Sequence, residues 1–549
     1  MSQSNSIENR NNQPLPLQEL LAKILNVPTE NSTRRSLPIT GTMQWLNEQL
    51  RPFSIFDSLN ITLRGIGQVI FANNPLAGLI ILVAIYIHSP WVGICGLLGA
   101  IASTVTAILL KLNAGAIRNG VLGFNGTLVG LALGTFGTWG NGEGNPLWIF
   151  AVIILAGLTT VLTNTLGVWI TTHFKISILG IPFHLVTLLF LAAVLYIPGT
   201  LFELGNPPAS PPVTSLNWLE LLFSLPRSFG SVFFSVSLIP SLLILAAVFL
   251  CSPISAGIGL MGSAISVIVA IALGIDLQSV YLGLWGFNSV LTSIALGGIF
   301  YAPLPGSIGI ALLAALVCAL LHGGLLLIFA LTGLPVLALT FTITTIGVFF
   351  ILKHSIPSLV PVALYTITCP EEHYKRYQIA KKIISSFRTQ IQEAIQGKPT
   401  YFLFQNISSE LKGEIRYIFN TIDTDNSKEI SLSELKTHLR IADDNLSDTE
   451  INYLFDSIDI DKSGEINLEE FGELILRHQR LTANYNEFVT YFIPIDDNED
   501  GLIQPEEMNL VLRSVGEPPL SNQEINFLKQ RTGSNSLTWH QFIDLLLVV

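Results

Sequence analysis

Gly120-Val121-Leu122-Gly123-Phe124-Asn125-Gly126-Thr127-Leu128 returns in altered form as Gly283-Leu284-Trp285-Gly286-Phe287-Asn288-Ser289-Val290-Leu291, 163 residues later. At the same offset Arg64 meets Arg227, Phe71 meets Phe234, and Ser89-Pro90 meets Ser252-Pro253. A register kept this long in a biased composition marks a duplication. In membrane proteins built from repeats, the working path lies between the copies, on interrupted helices near the bilayer midplane.

Outward from these motifs the chain is apolar and almost uncharged. Half of its 549 residues are hydrophobic and 12% are charged, with a mean hydropathy of +0.56. From Gly41 to Leu352 there are six acidic and six basic residues, so the net charge of −11 resides elsewhere, chiefly in the C-terminal third. This is the pattern of a polytopic membrane domain joined to an acidic domain. The four cysteines are scattered without a CxxC pair, which excludes a disulfide framework or zinc site. Nothing points to nucleic acid.

Apolar spans are predicted at 76–88, 91–110, 121–137, 147–170, 178–197, 239–251, 253–275, 281–300, 307–331 and 334–352. A crossing needs about 20 residues, so the segments near 60–75 and 224–238 complete the shorter spans or enter as half-helices. The expected domains are a polar tail over 1–42 with one short helix around Leu17 to Leu25, a membrane domain over 43–352 with repeats at 43–197 and 213–352, a basic linker over 353–407, and an acidic domain over 408–549. The Pro-rich stretch 198–212 joins the repeats, because proline fixes φ and lacks a donor. Lys375, Arg376, Lys381, Lys382 and Arg388, with Arg34 and Arg35 in the tail, place both ends in the cytoplasm and make the crossings even, with ten expected.

Buried charges mark ion and proton routes, and this core has almost none. What recurs at matched positions is Phe71, Phe124, Phe234 and Phe287, with Leu128 and Leu291 and the amide of Gln68. Facing rings and one amide suit a small, flat, uncharged solute. Asn125 and Asn288 are read as satisfying helix ends, and Arg64 and Arg227 as tethering a half-helix carbonyl end.

At these residues the chain resembles the urea transporter family over about 43–352, through Leu63-Arg64-Gly65-Ile66-Gly67-Gln68-Val69-Ile70-Phe71, Asn73-Asn74-Pro75 and the two Gly-Phe-Asn blocks. The resemblance implies an all-α membrane domain of two inverted five-helix repeats with re-entrant half-helices, a phenylalanine-lined slit, passive channel-like conduction of urea, and a homotrimer in the plasma membrane. The chain departs from the family at three pore positions. Ser231 stands opposite Gln68, and Gly180 and Ala338 stand where the slit threonines precede Pro182-Phe183 and Thr340-Phe341. A different small amide or neutral solute is therefore the alternative to urea.

From Ser408 onward, helix–loop–helix units recur at intervals of about 36 residues. Loop 459–470 offers Asp459, Asp461, Ser463, the carbonyl of Glu465, Asn467 and Glu470 at positions 1, 3, 5, 7, 9 and 12, with Gly464 at the turn. Loop 496–507 offers Asp496, Asn498, Asp500, the carbonyl of Leu502, Gln504 and Glu507. A hard cation taking six to eight oxygens requires this clustering. Loop 423–434 offers Asp423, Asp425, Ser427, the carbonyl of Glu429, Ser431 and Glu434, but Lys428 replaces the turn glycine, so weaker binding is expected. A fourth unit, over 530–541, keeps apolar positions around Leu537 and Phe542 and lacks carboxylates. The spacing resembles the calmodulin and related EF-hand family. It implies two lobes that bind calcium, with Ile430 paired to Ile466 and Ile503 to Leu537. The linker over 375–395 then has two readings, a target of these lobes or a segment lying on anionic lipid.

Two function classes follow: a solute permease regulated by calcium, or a membrane anchor for a calcium sensor, buffer or adaptor. No paired carboxylates, nucleophile elbow or histidine cluster in the spans points to an enzyme.

Overall fold

The computed structural model describes residues 40–538, apart from 138–143, 175, 206–214, 356–358, 360–367, 397–401, 406, 443–447, 460, 479–501, 515 and 533–535. The expected helix around Leu17 to Leu25, Arg34 and Arg35, the 206–212 part of the Pro-rich connection, Asp496, Asn498, Asp500 and Phe542 lie outside the described residues. Contacts divide the chain into two compact units, Ser36–Lys375 and Arg376 onward.

In the first unit the duplication is visible in the backbone. Helices Pro75–His88, Pro90–Leu109, Ala114–Arg118 and Phe124–Phe136 recur as Leu238–Cys251, Pro253–Ala272, Leu277–Tyr281 and Phe287–Ile294. The turns are set by the same chemistry in both copies. Ser89 separates two helices as a single extended residue, and its hydroxyl accepts from Val92 N at 3.3 Å, while Ser252 accepts from Ser255 N at 2.9 Å. Proline follows each serine at the first helical position, where no amide partner is lost. Gly120 and Gly283 both have positive φ (65° and 77°), and a Cβ on either would come within 2.4 Å of backbone on helix Ser54–Gln68 or Trp218–Ser231 respectively. Only glycine permits that approach.

Four helices are long and apolar enough to cross a membrane: Pro90–Leu109, Leu147–Phe174, Pro253–Ala272 and Pro305–Ala330. Six shorter apolar helices accompany them among the described residues, two of which are the motif segments Phe124–Phe136 and Phe287–Ile299. The stretches near 60–75 and 224–238 form separate helices, Ser54–Gln68 and Trp218–Ser231, each ending in a tight turn. One copy carries a difference: after Ile294 the helix widens into a π turn over Ala295–Ile299.

The second unit holds helices Ser409–Ile422, Leu432–Ala442 and Asp448–Ile458, a helical stretch over 468–478, then Pro505–Ser514 and Asn522–Thr532. Short antiparallel strands join the units in pairs, with Ile430 opposite Ile466 and Ile503 opposite Leu537. Both pairings are those the EF-hand resemblance implied. The helix Pro370–Ile395 spans the boundary in sequence between the two units.

Candidate functional site

The four matched phenylalanines behave alike. Phe71, Phe124, Phe234 and Phe287 are each half-buried, while the residues on both sides of every one are buried. Phe71 and Phe234 sit directly after helices Ser54–Gln68 and Trp218–Ser231 in the left-handed region, at φ 61° and 58°. A bulky residue there costs on the order of 1–3 kcal/mol and persists only where its surroundings demand it. Its repetition at both matched positions marks these rings as placed rather than filling space. Phe71 meets Phe300 at 6.2 Å and Phe341 at 6.1 Å, and Phe234 meets Phe136 at 6.1 Å, all edge to face. Phe287 lies 6.0 Å from His322. Leu128 and Leu291 are buried on the motif helices.

The polar positions differ between copies. Gln68 is half-buried, and its Oε1 accepts from Asn73 Nδ2 at 3.0 Å, which leaves its amide hydrogens for a carbonyl oxygen. Ser231 uses its hydroxyl hydrogen on backbone, within reach of Arg227 O at 2.9 Å and Leu282 O at 3.0 Å, so it presents only acceptor capacity. Gly180 lies at the start of helix Ile181–Tyr196, and a Cβ there would stand 3.1 Å from His184 Cε1 and 3.5 Å from Thr342 Oγ1. Ala338 is half-buried, and its carbonyl accepts from Thr342 at 3.2 Å.

Asn125 and Asn288 do serve helix ends, but on neighbouring elements. Their own helices are capped by Gly123 and Gly286 without a side-chain bond. Asn288 Oδ1 accepts from Phe341 N at 3.1 Å, and its Nδ2 donates to Leu337 O at 3.4 Å. Asn125 Nδ2 donates to Leu179 O at 3.4 Å and to Thr163 Oγ1 at 3.2 Å. Leu179 and Leu337 both have positive φ, 48° and 53°, immediately before helices Ile181–Tyr196 and Leu339–Ser355. Each asparagine thus pins the irregular entry to a later helix, where lipid would supply no partner.

The two arginines part company. Arg64 is fully buried and donates to Thr42 O (2.6 Å), Met43 O (2.8 Å), Asn73 O (3.1 Å), Asn73 Oδ1 (2.9 Å) and Asn60 Oδ1 (3.1 Å). Arg227 pairs with Glu220 at 2.6 Å and donates to Tyr281 O at 3.0 Å, the carbonyl end of helix Leu277–Tyr281. The expected tether to a helix end therefore holds for Arg227, whereas Arg64 organises the turn that carries Asn73 and, through it, Gln68. Arg118 pairs with Asp57 at 3.0 Å. With these charges engaged, the matched positions offer rings, amides and hydroxyls.

Phe136, Phe300, His184 and Thr342 went unread in the sequence. The repeat offset falls from 163 to 158 beyond the fourth helix of each copy, as Leu147 with Pro305 and Leu179 with Leu337 show. At that offset Thr187 meets Thr345 and His184 meets Thr342, beside the Phe183 and Phe341 already matched.

In the second unit, the carboxylates of Asp423, Asp425 and Glu434 converge within 4.8 Å of one another, as do those of Asp459, Asp461 and Glu470. The two loops share their scaffold. Asp459 Oδ2 accepts from Gly464 N at 2.8 Å, and Asp423 Oδ2 accepts from Lys428 N at 3.0 Å, with φ 87° at Gly464 and 73° at Lys428. Lys428 therefore does adopt the turn, in the conformation that favours glycine. Ser427 and Ser463 each donate to the position-7 carbonyl, of Glu429 and Glu465, at 2.8 Å. Ser431 and Asn467 stand three residues before the closing glutamates, and their amides donate to Glu434 and Glu470. Burial raises the Glu434 carboxyl, but the amides and hydroxyls of Ser431 and Thr424 outweigh it and hold the group at about 2. The donor set of carboxylates, amide, hydroxyl and carbonyl fits a hard divalent cation in both loops. In the third loop, Leu502, Gln504 and Glu507 are described, with Gln504 N donating to Glu507 at 2.9 Å.

A urea transporter family model matches residues 59–353, more than half of the chain, and an EF-hand domain pair model matches 412–476. The chain belongs to the urea transporter family. Urea transporter 1 of Capra hircus is 31% identical over 363 residues, covering 63% of this chain and 92% of that protein. Urea transporter 1 of Mus musculus is 31% identical over 359 residues, covering 63% of this chain and 91% of its own length. The family match begins within helix Ser54–Gln68 and ends within Leu339–Ser355, so it contains every phenylalanine and amide described above. In this urea transporter the EF-hand pair that matches holds the two loops with converging carboxylates.

Proposed function

We propose that this protein is a passive, channel-like permease for urea, with a cytoplasmic EF-hand domain that binds calcium and regulates permeation. The observation that carries the reading is the set of four half-buried phenylalanines at repeat-matched positions, two of them in left-handed backbone, inside a core whose charges are engaged. A planar amide sheds water between aromatic faces, which replace its hydration by dispersion and by N–H contacts to the rings. Gln68 donates to the solute carbonyl, and Ser231 accepts an N–H in the opposite half. The set carries no carboxylate, ammonium or guanidinium, which favours a neutral solute over an ion. No chemical step is catalysed. Two inverted repeats, a homotrimer with one path per subunit, annular lipid and a plasma-membrane location with both termini cytoplasmic complete the proposal.

Calcium would be held by Asp423, Asp425, Ser427, Glu429 O, Ser431 and Glu434, by Asp459, Asp461, Ser463, Glu465 O, Asn467 and Glu470, and by Asp496, Asn498, Asp500, Leu502 O, Gln504 and Glu507. Bound there, it supplies charge that draws the closing glutamates inward.

Stopped-flow light scattering of proteoliposomes under a urea gradient tests the whole reading. Rapid, saturable-at-high-concentration urea entry that responds to calcium, and ceases to respond in Glu470→Gln/Glu507→Gln, supports it. Urea entry at the rate of empty liposomes returns the membrane domain to the role of an anchor, and flux indifferent to calcium, chelator and the double variant removes the regulation.

A further inference from the structure

The segment after the membrane domain is basic, yet its one buried arginine faces acidic residues far ahead in sequence. In helix Pro370–Ile395, Ile384, Arg388 and Ile391 are buried on one face, while Lys381, Lys382 and Thr389 are exposed. Arg388 Nε lies 3.3 Å from Glu524 and Nη1 lies 3.8 Å from Glu517, and the guanidinium also donates to the carbonyls of Pro518 and Pro519. Ser385 donates to Glu517 at 3.2 Å, and Gln392 to Glu524 at 3.2 Å. These acceptors sit between the third and fourth EF-hand units, on the turn into helix Asn522–Thr532.

A second anchor follows. Phe404 is buried, its amide donates to Glu473 Oε2 at 2.9 Å, and a Cβ on Gly472 would stand 2.2 Å from its ring. Gly472 and Glu473 lie two and three residues after Glu470, the closing ligand of loop 459–470. The first anchor is related to its own loop in the same way. Helix Pro505–Ser514 starts beside Glu507, and the turn it leads into is bonded back to it through Glu517 N to Leu512 O (2.8 Å) and Leu520 N to Asn509 Oδ1 (2.6 Å).

From this geometry we propose that the helix face carrying Ile384, Arg388 and Ile391, together with Phe404, is the resident ligand of the EF-hand domain, and that its docking and calcium binding reinforce each other. The proposal rests on the calcium reading of the loops. One anchor is carried by the helix that begins at the closing glutamate Glu470, and the other by the turn bonded back onto the helix that holds Glu507, the kind of element an EF-hand repositions when its cation binds. The docked segment coexists with ligand oxygens of loop 459–470 already converged within 4.8 Å, so docking selects the cation-ready geometry. Coupling of this kind is reciprocal. The same helix begins at Pro370, where Glu371 Oε1 accepts from Ile254 N at 2.8 Å in the first turn of membrane helix Pro253–Ala272.

The test is calcium titration calorimetry on the full-length protein in detergent, with limited trypsin digestion at Lys381 and Lys382 as a second readout. Arg388→Gln removes one anchor, and Gly472→Ala evicts Phe404 from the other. Each is expected to weaken calcium affinity by about 5- to 10-fold, and the Arg388→Glu/Glu524→Arg exchange recovers most of it. Calcium slows cleavage in the parent protein and loses that effect in Arg388→Gln. If Gly472→Ala does not fold, Arg388→Gln decides, since its side chain lies outside the hands. Affinities within twofold of the parent in all variants overturn the proposal, as does calcium that accelerates cleavage. A parent protein that takes up no calcium refutes the underlying reading instead, and a change in affinity without any change in flux keeps this inference while removing regulation.

Discussion

Replacing Arg64 with Met should destabilise the membrane domain far more than the same change at Arg227, although the two are matched residues of a duplication. Arg64 is buried completely and serves five acceptors, three of them backbone carbonyls of Thr42, Met43 and Asn73. Met fills much of the stem's volume and leaves those acceptors stranded where water does not reach. At about 1 kcal/mol for each stranded acceptor, with the disrupted asparagines added, the loss is on the order of 3–5 kcal/mol, in the range for breaking a buried charged network. At Arg227 the partner carboxylate of Glu220 is 37% exposed and rehydrates when left alone. Only the carbonyl of Tyr281 is stranded, which puts the cost near 1 kcal/mol. Thermal unfolding of both variants in detergent, followed by size-exclusion chromatography, compares them directly. Equal shifts in midpoint, or a milder effect at Arg64, would refute the network argument. Urea flux adds a second arm, because Arg64→Met frees Asn73 and so releases Gln68, and should slow urea even in molecules that stay folded.

Four further outcomes follow from the same geometry. Phe124→Ala and Phe287→Ala should each admit larger urea analogues in stopped-flow assays; unchanged selectivity in both, with normal assembly, takes these rings out of the path. Ala338→Thr should raise urea flux by returning a hydroxyl to the slit, whereas Gly180→Thr should gain less, because its Cβ meets His184 at 3.1 Å and the imidazole must give way; a fall in flux at Ala338→Thr would reverse the reading of these departures. Lys428→Gly should tighten calcium at loop 423–434 about fivefold by removing left-handed strain of roughly 1 kcal/mol, seen calorimetrically in a Glu470→Gln/Glu507→Gln background, and an unaltered titration would show that the turn carries no penalty. Burial pushes His478 down to about 4, so its folded value lies below its unfolded one. Stability from the neutral ring is complete above about 6.5 and is lost as pH falls toward 4, by up to about 3 kcal/mol. Rate-corrected hydrogen exchange over 468–478 should therefore rise across that window in the parent and stay flat in His478→Gln.

Much of this fold was legible because duplication writes the same constraint twice. The 163-residue offset predicted pairs that the backbone repeats, down to the left-handed φ of Phe71 and Phe234 and of Gly120 and Gly283. The EF-hand resemblance implied the partners of Ile430 and Ile503, and the strands pair that way. What stayed hidden depended on choices that spacing does not fix. The connection into the fifth helix is five residues shorter in the second copy, Phe300–Leu304 against Gly137–Pro146, and this concealed His184 with Thr342. Matched arginines chose different partners because Asp57, the counterpart of Glu220, is taken by Arg118, while Asn60 and Asn73, which serve Arg64, stand opposite Phe223 and Val236 in the second copy. Ser231 kept its place opposite Gln68 while turning its hydrogen to backbone, a rotamer choice no sequence states.

The π turn over Ala295–Ile299 explains how the copies drifted apart without losing their mirrored contact. Phe136 closes on Phe234 in one half, and Phe300 closes on Phe71 in the other, although those pairs are 164 residues apart on one side and 163 on the other. One added residue in a regular helix swings everything after it by about 100°, which would have carried Phe300 away from Phe71. A single wide turn absorbs the extra residue locally. The bulge thus holds helical phase across the extra residue within one turn, so the ring contact is kept although the halves are unequal in length.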